Sequence, residues 1–144
     1  MSEPKQRFAD ALHSTSRAWR QALDRRLKGL GVSQASWMTI AVAAKAASPP
    51  SQSELADALA VEGATMVAMV DRLVKAGFVV REPDLTDRRV KRVVLTPAGN
   101  LLYEKVRAEA TAFRSELLAR MEPQKLLVAT EVLEGLQNII NSLP

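Results

Sequence analysis

Cysteine is absent from this 144-residue chain, and histidine occurs once, at His13. The first absence excludes disulfides, thiolate metal sites and thiol redox switching, and the second removes most imidazole-based metal and triad chemistry. Aromatic residues make up 4% of the chain and glycine occurs six times, with no glycine-rich loop of the kind that cradles phosphates. Without the usual groupings of acid, base and nucleophile, catalysis is not expected, and neither is a metal or a cofactor. No apolar run approaches the roughly 18 residues of a membrane span. Glu3, Pro4, Lys5, Arg7 and Asp10 interrupt any apolar signal core in the first ten residues, so a cytoplasmic protein with no membrane partner is expected.

What is present suits one folded domain, or a small domain plus oligomerisation elements. The chain is 47% hydrophobic and 25% charged, a globular balance, with a net charge of +4. The charge is unevenly placed. Residues 1–30 hold seven Lys/Arg against three Asp/Glu and residues 63–100 hold seven against four, whereas the other segments are net acidic. Basicity therefore gathers at the N-terminus and in the middle, as suits an anionic partner.

Residues 5–30 place Phe8, Ala11, Leu12, Thr15, Ala18, Trp19, Ala22, Leu23, Leu27 and Leu30 at three- and four-residue spacing, predicting a long amphipathic helix ended by Gly29 and Gly31. Ser33 caps a second helix that runs to the breaker Ser48-Pro49-Pro50. Ser51 and Glu54 form a capping box, which predicts a helix from Gln52 to about Leu59. After a corner at Ala60-Val61-Glu62-Gly63, a further helix carries Met66, Met69, Val70, Leu73 and Val74 to a stop at Gly77. The β-branched runs Phe78–Arg81 and Val90–Leu95 flank Pro83–Asp87 and predict a hairpin with a polar, basic tip. Thr96-Pro97 then opens a helix striped by Leu102, Val106 and Phe113, and Pro123 opens the last, striped by Leu126, Leu133, Leu136 and Ile140.

Helix, tight turn, helix and hairpin across residues 51–96 is the order of a winged helix-turn-helix. Leu55, Leu59, Val61, Met66 and Val70 would fill the wedge between two steeply crossing helices, and small Ala56 would let them approach. The second helix is then held outward, able to enter a DNA major groove. Residues 81–92 add Arg81, Arg88, Arg89, Lys91 and Arg92, set against Glu82, Asp84 and Asp87. A narrow tip of this kind can carry arginine into the minor groove, with Asp87 orienting one of them; the plainer reading is a solvated charged turn.

These residues resemble the MarR family of dimeric bacterial transcription regulators. The resemblance rests on Leu55-Ala56 through Asp71-Arg72-Leu73, Gly77, Asp87-Arg88-Arg89 and Leu95-Thr96-Pro97-Ala98-Gly99, and spans about residues 8–143. Arg17-Ala18-Trp19-Arg20, Leu23-Asp24, Arg26-Leu27-Lys28 and Ser33-Gln34 with Trp37 and Thr39 are similar more specifically to the SlyA branch. The resemblance implies a mainly α fold with a small β-hairpin wing, flanked by dimerisation helices over 1–30 and 98–144 around a DNA-binding domain over 31–97. It implies a homodimeric regulator that binds double-stranded DNA at pseudo-palindromic operators. Residues 62–73 become the recognition helix, with Thr65 and Ala64 near its start; Arg88 and Arg89 become minor-groove residues with Asp87 as their positioning partner, and Asp71 pairs with a wing arginine. Two positions depart from the pattern. Ala68 stands where the branch usually has arginine and cannot make a bidentate guanine contact, though its methyl suits a thymine methyl. Ala60 occupies a corner that often uses glycine, which implies mild strain or another turn.

The terminal helices hold more apolar surface than a winged domain needs, which suits a C2 dimer; an intramolecular bundle is the alternative. Trp19, Trp37, His13 and Arg17 precede the winged domain, and aromatic walls with one cation describe a site for a small aromatic carboxylate. Arg17 and Trp37 match such a pocket of the SlyA branch, whereas Ala41 stands where that branch commonly has histidine. Equally, the two tryptophans can be core and Arg17 solvated or paired. The rival function is a helical protein–protein interaction module built on a winged domain, separable by salt: DNA affinity falls steeply as salt rises and an apolar interface changes little.

Overall fold

The computed structural model describes residues 3–144. Along them run α1 (Pro4–Leu27), α2 (Gln34–Lys45), α3 (Gln52–Leu59), α4 (Gly63–Lys75), β1 (Val79–Pro83), β2 (Lys91–Leu95), α5 (Pro97–Leu118) and α6 (Pro123–Asn141). This is the mainly helical, hairpin-bearing winged architecture expected. The chain forms two compact units, one ending at Ala110 and the other spanning Thr111–Pro144, so α5 contributes to both.

The helix starts follow from side-chain caps. The Glu3 carboxylate accepts hydrogen bonds from the Lys5 and Gln6 amides with Pro4 at the first helical position, and the Ser33 hydroxyl accepts from the Ser36 amide. Ser51 accepts from the Glu54 amide at 3.1 Å, as the capping box requires, but the Glu54 carboxylate also reaches Arg92 of β2. The first helix is shorter than its apolar stripe predicts. Its α-helical bonding stops at Leu27, Lys28–Leu30 tighten into a single 3₁₀ turn, and Gly31 closes it in the left-handed region at φ 75°.

In the first unit the core is a continuous cluster. Leu27 of α1, Ile40 of α2, Leu55 and Ala56 of α3, Met66, Met69, Val70 and Leu73 of α4, Val79 and Val93 of the hairpin, and Leu102 and Val106 of α5 are all buried. Two members of the expected wedge are placed differently: Leu59 is only half-buried, and Val61 is 39% exposed because it lies in the corner before α4. The corner turns at Ala60, which adopts φ 54° and ψ 46° and is the one non-glycine residue with positive φ among the described residues. Its amide reaches back to Asp57 O, closing α3 as a glycine would.

β1 and β2 pair antiparallel from Val79 opposite Leu95 to Pro83 opposite Lys91. The breaker Ser48-Pro49-Pro50 does more than end α2. The Pro50 carbonyl accepts from the Val93 amide at 2.8 Å and Ser51 bridges Arg92, so this segment lies against β2 as an extra edge. A lone proline-bounded bridge carries no period-two pattern, so in the sequence it shows only as a stop. On the other side, the Thr96 hydroxyl donates to Gly77 O at 2.6 Å and accepts from the Gly99 amide, which fixes the start of α5 against the end of α4. Gly99 allows this approach, since a β-carbon there would collide with the Phe78 carbonyl.

In the second unit, α6 contains no buried residue, and Leu127, Val128, Val132, Leu133, Ile139 and Ile140 are exposed.

Replacing Ala60 by glycine should stabilise the protein. A left-handed alanine costs about 1 kcal/mol or more, partly offset by the greater chain entropy of glycine, for a net gain of about 0.5 kcal/mol. A thermal melt should show a rise of a few degrees, and a fall would mean that the corner is not left-handed in solution.

Candidate nucleic-acid interface

Helix α4 has two faces of different character. Met66, Met69, Val70 and Leu73 point into the core, while Ala64, Thr65, Val67 and Ala68 are exposed. That division leaves a small, nearly uncharged outer surface at the start of the helix. Glu62 is the N-cap residue, but no side chain caps the first turn and it contains no acidic residue. No side-chain hydrogen bond caps the leading amides at the positive end of the helix dipole, and Glu62 is the acidic residue beside them.

The hairpin tip is built as two successive corners. In the first, Asp84 Oδ2 accepts from the Thr86 hydroxyl at 2.8 Å and from the Thr86 and Asp87 amides at 3.1 Å. In the second, the Val90 amide bonds to Asp87 O at 3.0 Å, placing Arg88 and Arg89 at the apex. Asp87 Oδ1 accepts from the Arg89 amide and from Arg89 Nε, each at 3.1 Å, so Asp87 orients Arg89 and no bond joins it to Arg88. The ladder continues beneath both corners through the Asp84 amide and Val90 O at 2.9 Å.

The five cations that the sequence groups together divide into two kinds. Arg81 and Arg92 turn inward as struts. Arg81 Nε donates to Gln52 Oε1 at 2.6 Å, while its Nη2 donates to Asp71 Oδ1 at 2.6 Å and to Val67 O at 3.3 Å, tying β1 to α3 and α4. Arg92 Nε donates to Asp84 Oδ1 at 2.9 Å and Nη1 to Glu54 Oε1 at 2.8 Å, tying β2 to the tip and to α3. Arg88, Arg89 and Lys91 are left exposed. The wing arginine that meets Asp71 is thus Arg81, within β1. The roles of Gln52, Arg81, Asp84 and Arg92 escaped the sequence reading; the one local signal was Asp84 two and three residues before Thr86 and Asp87, the spacing of an Asx turn.

Hydrogen bonding to these carboxylates has an electrostatic consequence. The Thr86 hydroxyl and then the Arg92 guanidinium hold Asp84 well below the usual carboxylate range. Hydrogen bonds from Arg92 lower Glu54, and those from Arg89 lower Asp87.

The residues expected to hold an effector are not gathered into one pocket. His13 and Arg17 line an open polar groove with Ser16, Arg20, Gln21 and Gln34. Trp37 lies elsewhere, packed against the core with its Nε1 donating to Asp24 Oδ1 at 3.3 Å, and Trp19 is half-buried on α1 outside that groove. A separate apolar pocket of about 220 Å³ is lined by Arg20 of α1, Gln34, Ala35, Met38 and Thr39 of α2, Leu59 and Val61, and Thr65, Met66 and Met69 of α4. Among the described residues no cluster of His, Cys, Asp or Glu is arranged to hold a metal ion, and no helix is long and apolar enough to cross a membrane.

An outward helix beside a rigid basic hairpin defines the winged-helix class of regulators. The model of the MarR family matches residues 43–91. Over 93% of this chain and 98% of the other, the chain is 38% identical to the transcriptional regulator PA3341, with a TM-score of 0.79. It is similar also to the transcriptional regulator BldR from Sulfolobus solfataricus, at 25% identity over 99% of this chain and 100% of that one, TM-score 0.80. CouR from Rhodococcus jostii RHA1, bound to p-coumaroyl-CoA, shares the fold at 22% identity over 100% and 99% of the two chains, TM-score 0.81. The chain belongs to the MarR family, and the relatives it matches are transcriptional regulators.

The carboxylates of the tip should make the wing acid-sensitive. Because they titrate lower in the folded protein than in the unfolded chain, their contribution is complete above about pH 5 and is lost as pH falls through their depressed native values. Thermal melts from pH 7 to pH 3 should show the onset of this loss, and Asp84→Asn should have a shallower profile than the native protein. An equal slope for both would mean that Asp84 does not anchor the tip.

Proposed function

We propose that this protein is a homodimeric transcriptional regulator of the SlyA type that reads pseudo-palindromic double-stranded DNA and is released by a small aromatic carboxylate. The observation that carries the DNA reading is the pairing of a small, uncharged outer face on α4 with Arg88 and Arg89 on a braced tip. Ala64, Thr65 and Ala68 enter the major groove, where the Ala68 methyl favours thymine over guanine. Arg88 and Arg89 enter the flanking minor groove, with Asp87 orienting Arg89.

Dimerisation, through residues 1–30 and 98–144 around a reading domain over 31–97, is supported by the exposed apolar stripe of α6. An amphipathic helix with no buried residue needs a partner surface, and a second copy supplies two reading heads one DNA turn apart. The protein should sediment as a dimer at micromolar concentration, and aspartate at Leu133 and Leu136 should dissociate it; a folded native monomer would remove the two-headed reading.

The Met-lined pocket adjoins the expected groove of His13 and Arg17 and carries the effector reading best, since Arg20 supplies the cation and Thr65 belongs to the reading helix. Its volume of about 220 Å³ suits a single aromatic ring rather than a drug-sized ligand. Arg20 also lines the groove of His13 and Arg17, so a carboxylate there meets a basic rim. A ligand acts only through its different affinity for the two DNA-binding states, a coupling of about 1–3 kcal/mol. Salicylate should weaken DNA binding by the native protein and not by Arg20→Ala, and indifference of both would leave the pocket unregulated.

Fragments selected from a random duplex pool and then footprinted test the whole reading. On the selected duplex, the double substitution Arg88→Ala with Arg89→Ala should weaken binding and flatten the salt slope by roughly one to two units. Unchanged affinity and slope in the folded double variant would place the wing away from DNA.

A further inference from the structure

Leu85 is the most exposed large apolar side chain among the described residues, at 101% of its reference area, against 64% for the next, Leu143 near the C-terminus. A lone exposed leucine is ordinary on a protein surface. This one sits on a corner built to hold it out. Its neighbour Asp84 takes hydrogen bonds from Thr86, from the Asp87 amide and from Arg92, so the chain around Leu85 is fixed at both ends, and the side chain stands fully in solvent at the edge of an open groove walled by Pro49, Pro83 and Val94. The second corner of the same tip carries Arg88 and Arg89, with Lys91 just beyond.

Building on the wing reading above, we propose that Leu85 is an apolar wedge that enters the minor groove beside the two arginines and partly unstacks one base step. Cations bring the tip into the groove, and an exposed branched side chain has nothing polar to offer the groove floor. Its favourable contact is with sugar faces and the edge of an opened base step, the use to which leucine is put in proteins that kink DNA through the minor groove. Flexible pyrimidine–purine steps open at least cost, so Leu85 would add sequence preference at a position that no hydrogen bond reads. The bracing of Asp84 matters here, because a limp loop would lose the wedge to solvent on docking.

The test uses the full-length protein and a duplex recovered by selection from a random pool, with a fluorescent adenine analogue placed at each step that footprinting assigns to the tip. Leu85→Ala removes an exposed side chain and should leave the thermal melt unchanged. The native protein should brighten the analogue at one step and bind more weakly when that step is changed to a stiff A-tract. Leu85→Ala should abolish the brightening, weaken binding about tenfold and lose the preference for the flexible step, while keeping the native salt slope because no charge is removed. If Leu85→Ala matches the native protein in affinity and brightening while Arg88→Ala with Arg89→Ala weakens binding, the wedge is wrong and the basic wing stands. If neither variant changes binding, the wing reading falls and the wedge falls with it.

Discussion

The wedge of Leu55, Ala56, Met66 and Val70 between α3 and α4 is the constraint on which the outer surface depends. Helices of 8 and 13 residues are marginal alone in water, so packing must hold them. Each large side chain in the wedge contributes about 1.5–3 kcal/mol by leaving water. Once those four point inward, the helical period leaves no choice about Ala64, Thr65 and Ala68, which must point out. The left-handed Ala60 is part of the same constraint, because it reverses the chain within the few residues between the two helices.

Electrostatics then set the hairpin against that wedge. Exposed ion pairs taken singly contribute little, and it is the sharing of one guanidinium among several acceptors that gives Arg81 and Arg92 their effect. Arg81 ties β1 to Gln52, Asp71 and the backbone of Val67, so the hairpin is anchored to both α3 and α4. Arg92 joins Asp84 to Glu54 and thereby braces the tip from beneath. The carboxylates that balance these struts leave the charge of the apex exposed. A basic tip and a rigid tip are usually competing demands, since clustered cations repel; here two of the five cations turn inward.

The apolar pocket beside Thr65 and the open face of α6 belong to a different level of organisation. Neither is needed to hold the winged unit together, and both leave apolar surface in water that a ligand or a second chain would cover. On our reading they are the points through which a regulator is assembled and controlled, with the pocket acting on α4 because Thr65 and Met66 share its wall.

The sequence alone determined the local elements. The caps Ser33 and Ser51, the prolines at the starts of α5 and α6 and the apolar stripes act within a turn or two of the chain, and the element order already had the pattern of a winged regulator. The exposed positions of Ala64, Thr65 and Ala68 were legible for the same reason, since helical periodicity assigns faces. Tertiary structure decided which cations become struts and which stay at the surface. Asp71 and Arg81 are neighbours only after α4 and β1 dock, and Glu54 and Arg92 only after Pro50 lies along β2, so no spacing rule separates the struts Arg81 and Arg92 from the exposed Arg88 and Arg89. It also decided the ends and the gaps: α1 stops at Leu27 although its stripe continues to Leu30, and Trp37 pairs with Asp24 rather than facing Arg17. A hydrogen bond between distant residues depends on where their elements pack, and that is a sum over the whole core that local pattern does not contain.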